Sequence, residues 1–295
     1  MDYGHRLAFG TFVTPLNDPP QAAVARAVLS EDLGYDLVTF QDHPYQPAFL
    51  DTWTLLSFVA ARTESITLAG NVLNVPMRPA PVLARAAASL DLLSGGRLAL
   101  GLGAGAFWDA MAAMGVTRRT AGESVDQLGE AIDVIREIWR ADERARLRFD
   151  GGYYQLKGAK RGPAPAHDVP IWLGAYKPRM LRLVGAKADG WLPSLGYLKP
   201  GELARCNEII DDAAVAAGRD PRAIRRLANV SGDSAKSASQ WIGELVPLLL
   251  EQGIGTVIVG TDDPDELRRF AAEVIPAVRD EVARQRGASG VTDRL

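Results

Sequence analysis

The chain has 295 residues, of which 47% are hydrophobic and 23% charged, with a formal net charge of −3. That is the balance of a globular protein with a sizeable core, and the charge is too small to point to a nucleic-acid or membrane partner. One cysteine, Cys206, excludes an intrachain disulfide, and neither a signal-like leader nor an apolar run of the ~20 residues a spanning helix needs is found, so a cytoplasmic location is expected.

Short β-rich runs alternate with helical patterns from one end to the other. A strand over 7–13 is followed by a helix over 21–33 closed by Gly34, a strand over 36–41 and a helix over 50–62. The third strand covers 66–73, and the next helix sets Leu83, Ala87, Leu90 and Leu93 on one face at spacings of four and three. Gly95 and Gly96 end it, as glycine does where a left-handed residue is wanted, and 97–103 is the fourth strand. The clearest helix covers 120–139. It opens with Thr120-x-x-Glu123, a capping-box pattern, and Val125, Leu128, Ile132, Ile135 and Trp139 then recur at three and four. Residues 146–156 read as a hairpin around Asp150-Gly151-Gly152, inserted before a fifth strand at 169–173. Helices at 180–188, 202–217, 241–251 and 264–284 alternate with strands at 190–192, 227–230 and 256–260, and a frayed tail follows Gly287.

Strands apolar on both faces, each followed by a helix, indicate a parallel sheet covered by helices. Eight such units favour closure into an α/β fold of the (β/α)₈ TIM-barrel type, one domain over 1–295. An open doubly wound sheet is the alternative. It is weakened because the first strand does not run into a compact glycine-rich loop that opens a helix.

A TIM barrel carries its active site at the C-terminal ends of its strands. Those ends hold Asp42-His43-Pro44 after strand two and Gly70-Asn71-Val72 in strand three. Gly101-Leu102-Gly103-Ala104-Gly105 follows strand four, Gly174-Ala175-Tyr176-Lys177-Pro178 strand five, and Ser194 strand six. A lone histidine is more often structural than catalytic, but the strand-end position and the neighbouring carboxylate shift that balance for His43. Asp42 either orients His43 and raises its pKa or caps a turn. No second histidine or cysteine stands at ligand spacing, and His5 and His167 lie outside the strand ends, so no metal site is expected. The glycines after strand four allow a flat ligand or phosphate to approach the backbone. The turn after strand five leads into a helix whose free N–H groups suit an anion, with Lys177, Arg179 and Arg182 adding charge; Arg182 reads better as a solvated surface residue. Tyr45, Trp108, Tyr176 and Trp191 offer aromatic walls near the same ends, with Tyr45, Trp108 and Trp191 assigned to a substrate pocket. Trp53, Trp139 and Trp172 are assigned to packing. There is no P-loop and no G-x-S-x-G elbow, so nucleotide hydrolysis and esterase chemistry lack support.

These residues resemble the luciferase-like flavin and deazaflavin oxidoreductases. The likeness runs from Gly10 to about Glu273 and is most specific in three stretches. These are Gly34-Tyr35-Asp36 leading to Asp42-His43, the segment 68–105 with Leu90-Asp91-x-Leu93-Ser94-x-Gly96-Arg97, and Pro170-Ile171-Trp172-Leu173-Gly174 leading to Asp189-Gly190-Trp191. The resemblance implies a (β/α)₈ fold and a non-proline cis peptide at Asn71–Val72 behind the cofactor ring. It also implies that Gly103, Ala104 and Gly105 line the ring or ribityl side, and that Ala175, Tyr176 and Lys177 offer N–H groups to the phosphate with Ser194 as a further contact. Asp42-His43 resembles the pair that members using coenzyme F420 carry beside the ring. Two positions depart from the pattern. Ala106 stands where the sugar-phosphate dehydrogenase branch has a catalytic glutamate, and Pro47 stands where an aromatic residue is expected, with Tyr45 nearby. The reading is therefore an F420-dependent oxidoreductase reducing a C=C, C=N or C=O group, with His43 moving the proton. An FMN-dependent two-component monooxygenase is the alternative, and a non-redox anion-binding barrel is the third. The expected partners are a small-molecule substrate and a separate cofactor reductase, and a homodimer is left open.

Overall fold

The computed structural model describes residues 1–289. In chain order its elements begin with β1 (Ala8–Val13), α1 (Ala22–Asp32), β2 (Leu37–Phe40), α2 (Thr52–Ala60), β3 (Thr67–Gly70) and β4 (Leu73–Asn74). Next come α3 (Ala80–Ser94), β5 (Leu98–Gly103), α4 (Trp108–Ala113), α5 (Ala121–Trp139), β6 (Leu147–Asp150), β7 (Gln155–Ala159) and β8 (Ile171–Leu173). Then follow α6 (Pro178–Lys187), β9 (Gly190–Trp191), α7 (Glu202–Ala216), β10 (Arg225–Ser231), α8 (Ala238–Leu250), β11 (Thr256–Gly260), α9 (Pro264–Arg269) and α10 (Ile275–Ser289).

The strands pair in parallel in the order β3-β2-β1-β11-β10-β9-β8-β5, and β3 pairs with β5 again, so the sheet closes into a barrel. The open-sheet alternative is thereby set aside. Leu37, Ala69, Ala99, Trp172, Leu192, Leu227 and Ile258 come from all around the ring and pack on one another, which places them inside the barrel. The larger apolar cluster lies between the strands and the helices outside. The β6–β7 hairpin is antiparallel, as its sequence pattern suggests. Its turn is held by Glu130, whose carboxylate accepts the N–H groups of Gly152, Tyr153 and Tyr154 at 2.7, 2.8 and 3.0 Å. Thr120 and Glu123 form the expected capping box.

Several details differ from the sequence pattern. The third strand is broken after Gly70 and resumes as β4, because the chain bulges at Asn71 and Val72. Strand seven starts earlier, at Arg225. Arg226 is fully buried there, donating to Asn207 and to the Ile224 carbonyl and paired with Asp211, so a charged residue sits at what reads as a polar boundary. In α3 Leu83, Ala87 and Leu90 are buried as their spacing indicates, but Leu93 is 86% exposed, and Asp91 and Ser94 take the inward positions at the end of the helix. Asp91 accepts the N–H groups of Leu98 and Ala166, which tie the helix to the next strand, and this contact decides the rotation. The last helical run is interrupted by a π-turn at Phe270–Val274. Pro276 follows directly, and a ring without an N–H is accommodated by such a widened turn. The expected fraying after Gly287 falls partly on α10, which continues to Ser289, and otherwise outside the described residues. No helix among the described residues is long and apolar enough to cross a membrane.

The strand-four glycines serve the barrel before any ligand. A Cβ on Gly101 would lie 2.1 Å from the Gly70 carbonyl oxygen. Gly101→Ala is therefore expected to lower stability by about 1–3 kcal/mol through overpacking. Denaturant unfolding without any added ligand checks this, and an unchanged midpoint would contradict it.

Candidate active site

At the C-terminal mouth of the barrel lies a cleft of about 400 Å³, and the ends of β2, β3, β5, β8, β9 and β10 all contribute to it. A larger cavity, about 640 Å³, opens at the opposite end among His5, Arg97, His167 and Arg225. Much of its charge is spent on the fold. Arg97 donates to the carbonyls of Ala60, Thr63 and Ser94, Asp36 binds the Phe9 N–H and Arg279, and Asp189 binds Arg136. The mouth is where unspent groups converge.

The Asn71–Val72 peptide is cis. Val72 points into a socket made by glycines. A Cβ on Gly103 would stand 2.8 Å from Val72 Cγ2, and one on Gly174 3.1 Å from the same atom. Val72 thereby packs on the cluster inside the barrel, and Asn71 reaches across to strand seven. Its Nδ2 donates to Asn229 Oδ1 at 2.7 Å and to Thr39 Oγ1 at 3.1 Å. Asn229 Nδ2 answers to Asn71 Oδ1 and to Ser194 Oγ, both at 3.0 Å. Each amide thus fixes the other's orientation, and the seam joins strands three, six and seven below the cleft.

His43 lines the cleft and packs edge-on against Phe107, with ring centroids 5.3 Å apart. Its Nδ1 is 2.6 Å from the Tyr45 hydroxyl. Burial pushes the imidazole below the usual histidine value, and the nearby Asp42 charge only partly opposes this. Burial, with Asp42 adding to it, pushes the Tyr45 hydroxyl up to about 12. A phenol that stays protonated can give its hydrogen to Nδ1 and leave Nε2 as an N–H, or accept the Nδ1–H on its oxygen and leave Nε2 bare as a base.

Asp42 requires a correction. It does not hold His43. Its buried carboxylate accepts the Asn74 N–H at 2.8 Å and takes a two-point bond from Arg78 at 2.7 and 3.1 Å. Arg78 also reaches Asp51 at 2.7 Å, and Asp51 caps α2 through the Thr54 N–H. Asp42 therefore ties the loop after β2 to the segment after β4, and the neighbour that contacts His43 is Tyr45. Pro47 lies exposed, away from the pair.

The opposite end of the cleft is the start of α6. Pro178 occupies its first position and no side chain caps it, so its first-turn N–H groups are left for an outside acceptor. Ala175, Tyr176 and the exposed Lys177 line this end, together with Met180. The Tyr176 hydroxyl accepts the Ser194 N–H at 2.8 Å, which fixes the wall. Arg179 is spent on Asp126, and Arg182 is exposed. Gly103, Ala104, Gly105 and Ala106 form the side of the cleft.

Two of the three residues assigned to the substrate pocket are elsewhere. Trp191 is fully buried and donates to the Ala175 carbonyl at 2.8 Å, so it supports the α6 turn from beneath. Trp108 is half-buried in α4 and does not line the cleft, and Phe107 takes that place. Tyr45 does line it. Sequence reasoning missed Asn74, Phe107, Asn229 and Arg78. Asn74 Oδ1 is buried beside the cleft with no hydrogen-bond partner, an acceptor still to be satisfied.

Arg78→Leu should leave the Asp42 carboxylate buried and unpaired and cost about 3–5 kcal/mol in denaturant unfolding. Asp42→Asn should also destabilise, while turnover per folded molecule stays within about tenfold of the parent. A loss as deep as that of His43→Asn would restore a direct catalytic role to Asp42.

The chain is 30% identical over 283 residues to the F420-dependent glucose-6-phosphate dehydrogenase of Microbacterium testaceum, covering 91% of this chain and 80% of that one. It is 34% identical over 239 residues to the 5,10-methylenetetrahydromethanopterin reductase of Methanolobus tindarius, covering 79% and 68%. An F420-dependent secondary alcohol dehydrogenase in complex with an F420–acetone adduct superposes with a TM-score of 0.79 at 21% identity, over 93% of this chain and 100% of that one. The FMN complex of the oxygenating constituent of 3,6-diketocamphane monooxygenase from Pseudomonas putida gives 0.72 at 18%, over 92% and 99%. At those identities the two structures speak for the fold alone. The family described as luciferase-like monooxygenase matches residues 1–289, and the chain belongs to that family.

Proposed function

We propose that the protein is an F420-dependent oxidoreductase that moves a hydride between the deazaflavin and a small organic substrate bearing a C=C, C=N or C=O group. The observation that carries this reading is the conjunction in one cleft of a Val72-backed wall, an uncapped helix start beside Lys177, and the His43–Tyr45 pair. The F420-dependent activities named for the relatives support it. The rival is an FMN-dependent two-component monooxygenase served by a separate reductase, which would use the same helix start. A barrel without redox chemistry has no support among the relatives' names.

Bound in the cleft, the cofactor supplies or accepts the hydride. The chain's residues do the rest. Lys177 and the first turn of α6 would hold the anionic phosphate end. Val72 would back the ring, and the unpartnered Asn74 Oδ1 would accept a ring N–H. Phe107 and Ala104 would keep water from the reacting face. His43, neutral at pH 7 because burial lowers its pKa, would take the substrate proton at a bare Nε2, and return it in the reverse direction, while its Nδ1–H donates to the Tyr45 oxygen. Ala106 carries no carboxylate at the position used for proton donation in the sugar-phosphate branch, which leaves the proton to His43.

Titration of the apoprotein with each oxidised cofactor, followed by fluorescence, tests the assignment. Saturable binding of F420 with negligible binding of FMN is expected, and the reverse would turn the reading to the monooxygenase. Lys177→Glu should weaken cofactor binding more than tenfold, about 1.4 kcal/mol.

For the chemistry, His43→Asn should lower turnover by roughly 10²–10⁴ with a modest change in cofactor affinity. Because the His43 pKa lies below its ordinary value, activity that needs the neutral ring should persist below pH ~6.5 and fail only further down. Normal turnover in His43→Asn, at saturating cofactor and substrate, would move proton transfer to Tyr45 or to water.

A further inference from the structure

A second cavity at the mouth, about 490 Å³, lies over the ends of β1, β10 and β11. It shares Ser194 and Asn229 with the cofactor cleft, and those two side chains are bonded to each other at 3.0 Å. We propose that this cavity is the substrate chamber and that it takes an uncharged, hydroxyl- or carbonyl-bearing molecule and rejects phosphorylated ones. The proposal rests on the redox reading above, since it gives the chamber its role as neighbour of the cofactor.

The lining carries the argument. Thr14, Ser231 and Tyr197 bring hydroxyl groups and Phe12 an apolar face, while the Thr261 hydroxyl is spent on Glu266 and the Asn229 amide on Asn71 and Ser194. Such a surface offers donors and acceptors together, which suits a neutral hydroxyl or carbonyl. Among the described residues no lysine, arginine or histidine lines it, and Asp262 is the one lining carboxylate. Asp262 Oδ1 accepts the Thr14 N–H at 3.0 Å. The Arg26 guanidinium stands 3.9 Å from that oxygen and donates instead to the Asp262 carbonyl at 2.8 Å. The carboxylate's charge is therefore only partly countered. Two cations beyond β10 and β11 are engaged elsewhere, Lys236 of the β10–α8 loop with Glu244 and Arg269 at the end of α9 with the Asp233 carbonyl. A phosphate dianion entering this chamber would shed water without gaining a cation and would face a like charge. The glucose 6-phosphate named for one relative is thus the wrong kind of ligand for this chain, in keeping with Ala106 at the strand-four end.

Saturation-transfer NMR with cyclohexanol, 2-butanol and glucose as neutral probes and glucose 6-phosphate as the charged probe tests the proposal, on the apoprotein and on the F420-loaded protein. At least one neutral probe should bind, with glucose 6-phosphate at least tenfold weaker. Asp262→Asn keeps the acceptor for Thr14 and should raise glucose 6-phosphate affinity several-fold, and Asp262→Lys more so. Binding of glucose 6-phosphate to the parent as tight as that of the best neutral probe would overturn the proposal. So would silence from every neutral probe, or the absence of any gain in both variants. The apoprotein arm reads the chamber by itself, so a failure of F420 to bind would count against the cofactor reading and not against the chamber.

Discussion

Val72 needs room where strands three, four and five converge, and the mouth of the barrel is shaped by how that room is made. Gly103 and Gly174 leave out the Cβ atoms that would collide with its side chain. With Val72 seated in this socket, Asn71 locks onto Asn229, and Asn229 in turn holds Ser194. The strand then resumes at Leu73–Asn74, one step displaced, with the Asn74 N–H directed at Asp42. A bulge at two residues thus sets the floor of the cleft, its polar seam and the anchor of the loop that carries His43.

That anchor explains why two adjacent residues have different work. Asp42 is buried and gripped by Arg78, and Arg78 is shared with the cap of α2. Breaking one partner of such a buried pair costs far more than the pair itself contributes, so the loop is held in one position. His43, one residue further, lies outside this grip and faces the cleft. Its environment is apolar and aromatic, with Tyr45 as its polar contact, and burial favours the neutral ring. A rigid carboxylate–guanidinium clamp thus presents an unclamped imidazole.

Much of the fold was legible because alternation of short β-rich runs with 3.6-period helices is a repeated, redundant signal. Eight units agree with one another even where single boundaries are off. The misses occurred where a tertiary contact overrules local pattern. Arg226 is invisible as strand because its charge is countered by Asp211 and its Nε–H accepted by Asn207, both more than ten residues away in the chain. Leu93 reads as core because periodicity cannot see that Asp91 must turn inward to hold Leu98 and Ala166. At the site, strand-end position brought His43, Asn71, Val72, Gly103 and Lys177 to one cleft. Proximity in sequence misled for Asp42, whose partner Arg78 is 36 residues on. Trp191 was drawn to the pocket by its strand-end position, but adjacent strand residues face opposite sides, and its ring lies in the core beneath the α6 turn. Asn229 gave no signal, because a lone asparagine in an apolar strand becomes informative only when Asn71 is seen opposite it.

The crystal structure of the F420 complex tests the central claim most directly. The account predicts the deazaflavin ring packed against Val72, its phosphate at the first turn of α6 within reach of Lys177, and Asn74 Oδ1 accepting a hydrogen bond from the ring. A phosphate bound at the ends of β10 and β11 instead, with the ring away from Val72, would contradict it.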